Sequence, residues 1–175
     1  MTQLGEAFVG TGPEAAHLNT VLGRKGGPVE TAWVTALATP REGHVPFVVA
    51  VQPSIAVKPM TLFVNKATIA SDAHAALTWG AAQAGVASGV LDAVHAGTIP
   101  RGKVDDLLCI AAVWVSPSAS DADAVYAFNR EATRAALMNG AIGAPDVADA
   151  LAVRDEPITA YWLPPALRPD ETAAR

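Results

Sequence analysis

A single cysteine, Cys109, stands among 175 residues. One thiol can neither close an internal disulfide nor build a thiolate zinc cage. Its place in an apolar run reads as a buried core group. Basic residues are also few: 12 Lys+Arg against 17 Asp+Glu give a formal net charge of −5. A binder of nucleic acid or of an anionic membrane needs a basic face, so this balance argues against both. No apolar run is long enough for a membrane-spanning helix. The opening MTQLGEAFVG has no basic residue ahead of its apolar stretch, as a secretory signal would. A cytoplasmic protein is expected. What the chain does have is apolar character, 51% against 17% charged, which is the composition of a globular protein. A chain of this size buries ~70% of its unfolded surface, enough for one self-sufficient core.

Glycine and proline divide the chain. Gly10, Gly12 and Pro13 end a short apolar run, Ala7 to Val9. His17 to Leu22 then alternates, with His17, Asn19 and Val21 on one strand face and Leu18, Thr20 and Leu22 on the other. Pro28 suits the first turn of a helix carrying Val29, Ala32, Trp33, Ala36 and Leu37 as an apolar stripe, stopped by Pro40. Phe47 to Val51 reads as a buried strand. Thr61 to Ile69 reads as a longer one, with Leu62, Val64, Lys66 and Thr68 on one face. Ser71 is a candidate N-cap for an alanine-rich helix running to Gly97, which Gly80 interrupts. Leu107 to Val115 predicts a strand, and Asp121 to Asn139 a helix ending at Gly140. The pattern implies one α/β layer fold on a mixed sheet over residues 1–145. Residues 146–175, with four prolines after Glu156, read as a tail without its own core, anchored if at all by Tyr161 and Trp162.

Two strand positions bear on chemistry. His17 follows a Gly/Pro loop, and histidine exchanges protons near neutral pH; a hydrogen-bonded structural histidine is the plainer reading. Lys66 shares a face with Leu62 and Val64. It either guards an edge strand, snorkels, or acts as a desolvated nucleophilic amine. His44, His74 and His95 read as solvated surface residues, and no two histidines have the helical i, i+4 spacing of a metal site. Asp105 and Asp106 suit a turn linked to Arg101 or Lys103 better than a catalytic carboxylate pair. The glycines form no phosphate loop, and no G-x-S-x-G elbow is present.

Several strings, in order, resemble the formaldehyde-activating enzyme family: GEAFVGTGPEAAH at 5–17, LNTVLG, PVETAWVTALATPREGH, KPMTLFVNKATI at 58–69, GAAQAGVASGVLDAVHAGTIP at 80–100, VDDLLCIAAVWV at 104–115 and NREATRAAL at 129–137. The resemblance spans about residues 5–140. It implies a two-layer α/β sandwich with left-handed crossovers, like the second domain of a ribosomal small-subunit protein. It implies a cytoplasmic homopentamer acting in one-carbon metabolism and formaldehyde detoxification. The implied reaction is that of a lyase joining formaldehyde to tetrahydromethanopterin as co-substrate, with no metal and no tightly bound cofactor. The family's proton donor matches His17, and its pterin-binding positions fall on Asn19, Val48, Lys66, Thr68 and Gln83.

Some positions depart from the family pattern. Asn19 replaces an aspartate, so a charged acceptor becomes a neutral amide with one acceptor and an added donor. Val48 replaces a leucine, Ser116 a histidine and Arg130 a tyrosine. Losing a charge-assisted bond at position 19 corresponds to ~1–3 kcal/mol. Two further functions are therefore weighed beside the parent reaction: condensation with another amine carrier, and pterin or formaldehyde binding without turnover.

Overall fold

The computed structural model describes residues 2–159 and 162–167. β1 (Gln3–Val9) turns through a single 3₁₀ turn into β2 (Ala16–Arg24), and α1 (Pro28–Ala38) follows. Next come β3 (Phe47–Val48), β4 (Ala50–Gln52), β5 (Ile55–Ala56) and β6 (Met60–Asn65). α2 (Asp72–Ala76), a π-helical turn at Leu77–Ala82 and α3 (Gln83–His95) run on from one another. β7 (Leu107–Trp114) and α4 (Ala122–Ile142) complete this unit. The main sheet has the order β1-β2-β7-β6-β3, and β4 with β5 forms a separate ribbon. β6 and β7 run parallel; the other pairs are antiparallel. The mixed α/β class expected from the sequence holds.

Alternation sorts the side chains onto two faces. Leu18, Leu22, Phe63, Cys109, Ala111 and Val113 point to the α3/α4 side and join Val86, Val90, Ala132 and Ala136 in the larger core. Val21, Leu62, Leu108 and Ile110 point the other way and meet Val29 and Trp33 of α1 in a smaller cluster. Helices therefore lie on both faces, and α1 adds a partial third layer to the two expected. Its buried stripe is narrower than predicted: Val29 and Trp33 are buried, while Ala32 and Leu37 face water.

Four expectations are corrected. The strand at Phe47–Val51 breaks at Val49, whose N–H reaches back to Thr61 while β4 leaves the sheet. The strand predicted to Ile69 ends at Asn65, because the Asn65 amide donates to the Gly43 and Ala67 carbonyls and closes a turn. His74 is a core residue, not a surface one: Nδ1 accepts from the Ala70 N–H at 3.2 Å and Nε2 donates to the Val115 carbonyl at 3.0 Å. His44 is likewise held by protein, as described below. The Gly80 interruption takes the form of the π turn.

Residues 145–175 form a second unit. It contains α5 (Val147–Ala152), closed by a capping box: Asp146 accepts from the Asp149 N–H, and Asp149 from the Asp146 N–H. Its described side chains are exposed or half-exposed. Tyr161, a predicted anchor, lies outside the described residues. No helix of the described residues is long and apolar enough to cross a membrane.

Two close fits test this core. A Cβ added at Gly89 would lie 2.5 Å from the Arg130 carbonyl oxygen and 2.6 Å from Thr133 Cβ, so Gly89 lets α3 and α4 touch through their backbones. Gly89→Ala is expected to cost ~1–3 kcal/mol, read as a lower urea midpoint at constant m; an unmoved midpoint would refute the close fit. Burial pushes the Cys109 thiol up to about 12, with a smaller opposing effect from Thr61. The native protein at pH 8 should therefore not react with a thiol-exchange reagent, and the unfolded chain should react at once; labelling of folded protein would contradict the burial.

Candidate active site

The open face of the sheet is built in rows. Phe8, His17 and Trp114 lie opposite one another on β1, β2 and β7. The Lys66 N–H donates to the Val113 carbonyl at 2.7 Å, which carries the β6–β7 pairing one residue further and brings Lys66 level with this row. The next row is Glu6, Asn19, Ala112 and Val64. The third is Leu4, Val21, Ile110, Leu62 and Val48. Strand period two places all of them on one side. α1 covers the third row around Val21, Ile110 and Leu62, and the polar residues lie in the first two.

Lys66 and Asn19 sit on opposite sides of β7. Lys66 Nζ donates to Asn19 Oδ1 at 2.7 Å. Between them runs β7, with Ala112 opposite Asn19. Burial lowers the Lys66 amine from its ordinary value, and the negative charge of Glu6 opposes that shift. His17 Nε2 lies 3.0 Å from Glu6 Oε1. The Phe8 ring flanks the imidazole at 6.1 Å, tilted by 53°. His17, Asn19 and Lys66 thus meet on one patch, joined by Glu6.

The other three predicted positions are engaged elsewhere. Val48 packs among the apolar side chains beneath α1. Gln83, at the start of α3 on the opposite face, accepts from the Ala50 N–H at 2.7 Å and ties the β4–β5 ribbon to the helix. Thr68 does not share a strand face with Lys66, because the strand has ended. Its hydroxyl meets His44 Nε2 at 2.9 Å, while His44 Nδ1 donates to the Asn65 carbonyl at 2.9 Å. Among the described residues, no group of three or more His, Cys, Asp or Glu side chains is placed to hold a metal ion.

The departures from the family pattern find local partners. Arg130 grips Asp92 through two bonds of 2.6 and 2.9 Å, linking α4 to α3 and holding the Asp92 carboxyl below the usual range. The Ser116 hydroxyl accepts from the Ser118 N–H in the turn after β7. Asp105 pairs with Lys58 at 2.6 Å and Asp106 with Lys103 at 3.8 Å, so both are turn residues, although Lys58 was not the expected partner.

Sequence reasoning missed Glu6 and His44. Glu6 alternates with Leu4 and Phe8, and this signal is readable once β1 is extended back to Gln3. His44 carried no such signal, since its partners come from a turn 21 and 24 residues away.

A profile described as formaldehyde-activating enzyme matches residues 4–161, beyond the end of the resemblance read from the strings. The 5,6,7,8-tetrahydromethanopterin hydro-lyase of Methanosarcina barkeri is 46% identical over 88% of this chain and 86% of its own length. Two bifunctional enzymes Fae/Hps also match: that of Methanococcoides burtonii at 39% identity over 89% of this chain, and that of Methanothrix thermoacetophila at 37% over 96%. The chain spans only 39% and 45% of those two proteins. With the profile covering most of its length and the hydro-lyase matched nearly end to end, this chain belongs to the formaldehyde-activating enzyme family.

Proposed function

We propose that the protein condenses formaldehyde with tetrahydromethanopterin, giving methylene-tetrahydromethanopterin and water, with His17 as general acid. The observation that carries this reading is the gathering of His17, Asn19 and Lys66 on one open patch in a chain of this family. Formaldehyde offers a protein almost nothing to grip, so affinity must come from the pterin and rate from holding its two nitrogens in place. Two N–H bonds and one C=O become two C–N bonds and one water, so no proton is gained or lost overall. The first nitrogen adds to the carbonyl carbon and forms a carbinolamine. Protonated His17 gives its proton to the hydroxyl, the C–O bond breaks and water leaves. The second nitrogen attacks the resulting iminium carbon, the ring closes, and its proton returns to the imidazole.

Lys66 and Asn19 serve the polar edge of the pterin or the oxygen of the carbinolamine. Val48, Thr68 and Gln83 take the remaining family positions, which one chain does not bring together with His17. A homopentamer fits that separation, because a cleft between subunits draws its two walls from different chains; sedimentation of the full chain checks it.

Purified protein mixed with formaldehyde and tetrahydromethanopterin is expected to exceed the spontaneous rate. His17→Ala should remove ~10²–10⁴-fold of the acceleration and leave pterin affinity within a few-fold; undiminished turnover would take His17 out of the mechanism. Asn19→Asp turns the Lys66 contact from an ammonium–amide hydrogen bond into an ion pair, and should raise turnover with the pterin several-fold. If the unaltered protein speeds condensation only with a folate or another amine carrier, the substrate class is different. If it binds the pterin without speeding the reaction, it is a binding protein.

A further inference from the structure

Glu6 stands at the centre of the polar patch. It lies directly across the ladder from Asn19, its Oε1 is 3.0 Å from His17 Nε2, and its charge acts on Lys66. Among the described residues, the charged group in contact with the imidazole is Glu6 on β1; Lys66, beyond β6, reaches Asn19, β7 brings Trp114 opposite His17, and β1 adds Phe8. Glu14, in the turn before β2, is engaged with the Ser120 N–H at 3.3 Å. The two side chains of the pair are 41% and 57% exposed. A pair that open contributes at most ~1 kcal/mol to folding, so stability gives little reason to set a carboxylate against this histidine.

We infer that Glu6 is the positioning residue of His17, accepting the Nε2–H and so leaving Nδ1 as the one ring atom that exchanges a proton with substrate. This rests on the reading of His17 as general acid. Nδ1–H gives its proton to the carbinolamine hydroxyl as the C–O bond breaks. Nδ1, then carrying a lone pair, takes the proton that the second nitrogen loses on ring closure. Glu6 stays ionised throughout, and its bond to Nε2–H fixes both the tautomer and the ring plane across the two transfers.

The test uses the full chain and two variants. Glu6→Gln keeps the shape and removes the charge; Glu6→Asp keeps the charge and shortens the reach. For Glu6→Gln, kcat should fall ~10–100-fold with the KM for tetrahydromethanopterin within about 3-fold. Glu6→Asp should recover part of kcat. Nitrogen-15 NMR of the His17 ring in the substrate-free protein gives a second readout. The neutral ring should be the Nε2–H tautomer, and Glu6→Gln should mix the tautomers. Unaltered kcat in Glu6→Gln, or an Nδ1–H ring in the unaltered protein, would overturn the inference. Failure of the general-acid reading looks different: His17→Ala would then turn over like the unaltered protein, while the NMR result would still decide what Glu6 does to the ring.

Discussion

The register of β1, β2 and β7 is the constraint on which the candidate site depends. Phe8, His17 and Trp114 lie opposite one another, as do Glu6, Asn19 and Ala112. A slip of one residue would send each of these side chains to the other face. The same slip would carry Leu18, Ala111 and Val113 out of the α3/α4 core, where they are completely buried. Pinning the core and aligning the polar patch are therefore one requirement. At ~25 cal/mol per Å² of apolar area, burial supplies a register energy far larger than the polar contacts could. The chemistry of the face rides on packing that it does not itself provide.

Coverage of that face is uneven. Val29 and Trp33 seal the rows around Val21 and Ile110, and α1 ends at Ala38. Beyond it, the polar rows remain accessible, with Phe8 46% exposed beside His17. Charges in such a place interact weakly while water surrounds them: two unit charges 4 Å apart attract by ~1 kcal/mol in water and ~4 kcal/mol at an effective dielectric of 20. Anything that covers the patch lowers the local dielectric and strengthens the Glu6–His17 and Lys66 interactions. Half-open polarity suits the proposed reaction, in which the site admits a large co-substrate and then works in a drier setting.

The sequence was most legible where periodicity and burial agree. β2, α1, β7 and α4 fall within a few residues of their predicted limits because alternation or a capping residue marks them, Asp121 being the N-cap of α4. Legibility failed where one side chain redirects the backbone. Asn65 ends β6 by donating to two carbonyls, one of them at Gly43, and no local pattern announces a bond of that span. His74 looks like any polar helix residue until Val115 is brought to its ring. The site divides along the same line. His17 and Asn19 share a strand, so their common face was readable from parity alone. The Lys66–Asn19 bond needs β7 between β2 and β6, with Ala112 at the crossing, and strand order is not written in any one strand.

The neutral amide at position 19 sets the charge of the patch. Glu6 and Lys66 cancel, and His17 adds a positive charge when protonated. The patch is therefore neutral or cationic as it meets substrate, where an aspartate at 19 would make it anionic or neutral. The proposed condensation passes through an iminium cation, which a cationic patch disfavours and a carboxylate stabilises. With Asn19 uncharged, Glu6 is the carboxylate of this patch that faces the developing positive charge. It stands next to His17, which in the proposed step gives up its proton and becomes neutral. On that proposal, expulsion of water moves the positive charge from the imidazole to the adduct while the carboxylate stays fixed. The β1–β2 register holds Glu6 beside the imidazole from which that charge would depart, with Oε1 3.0 Å from Nε2.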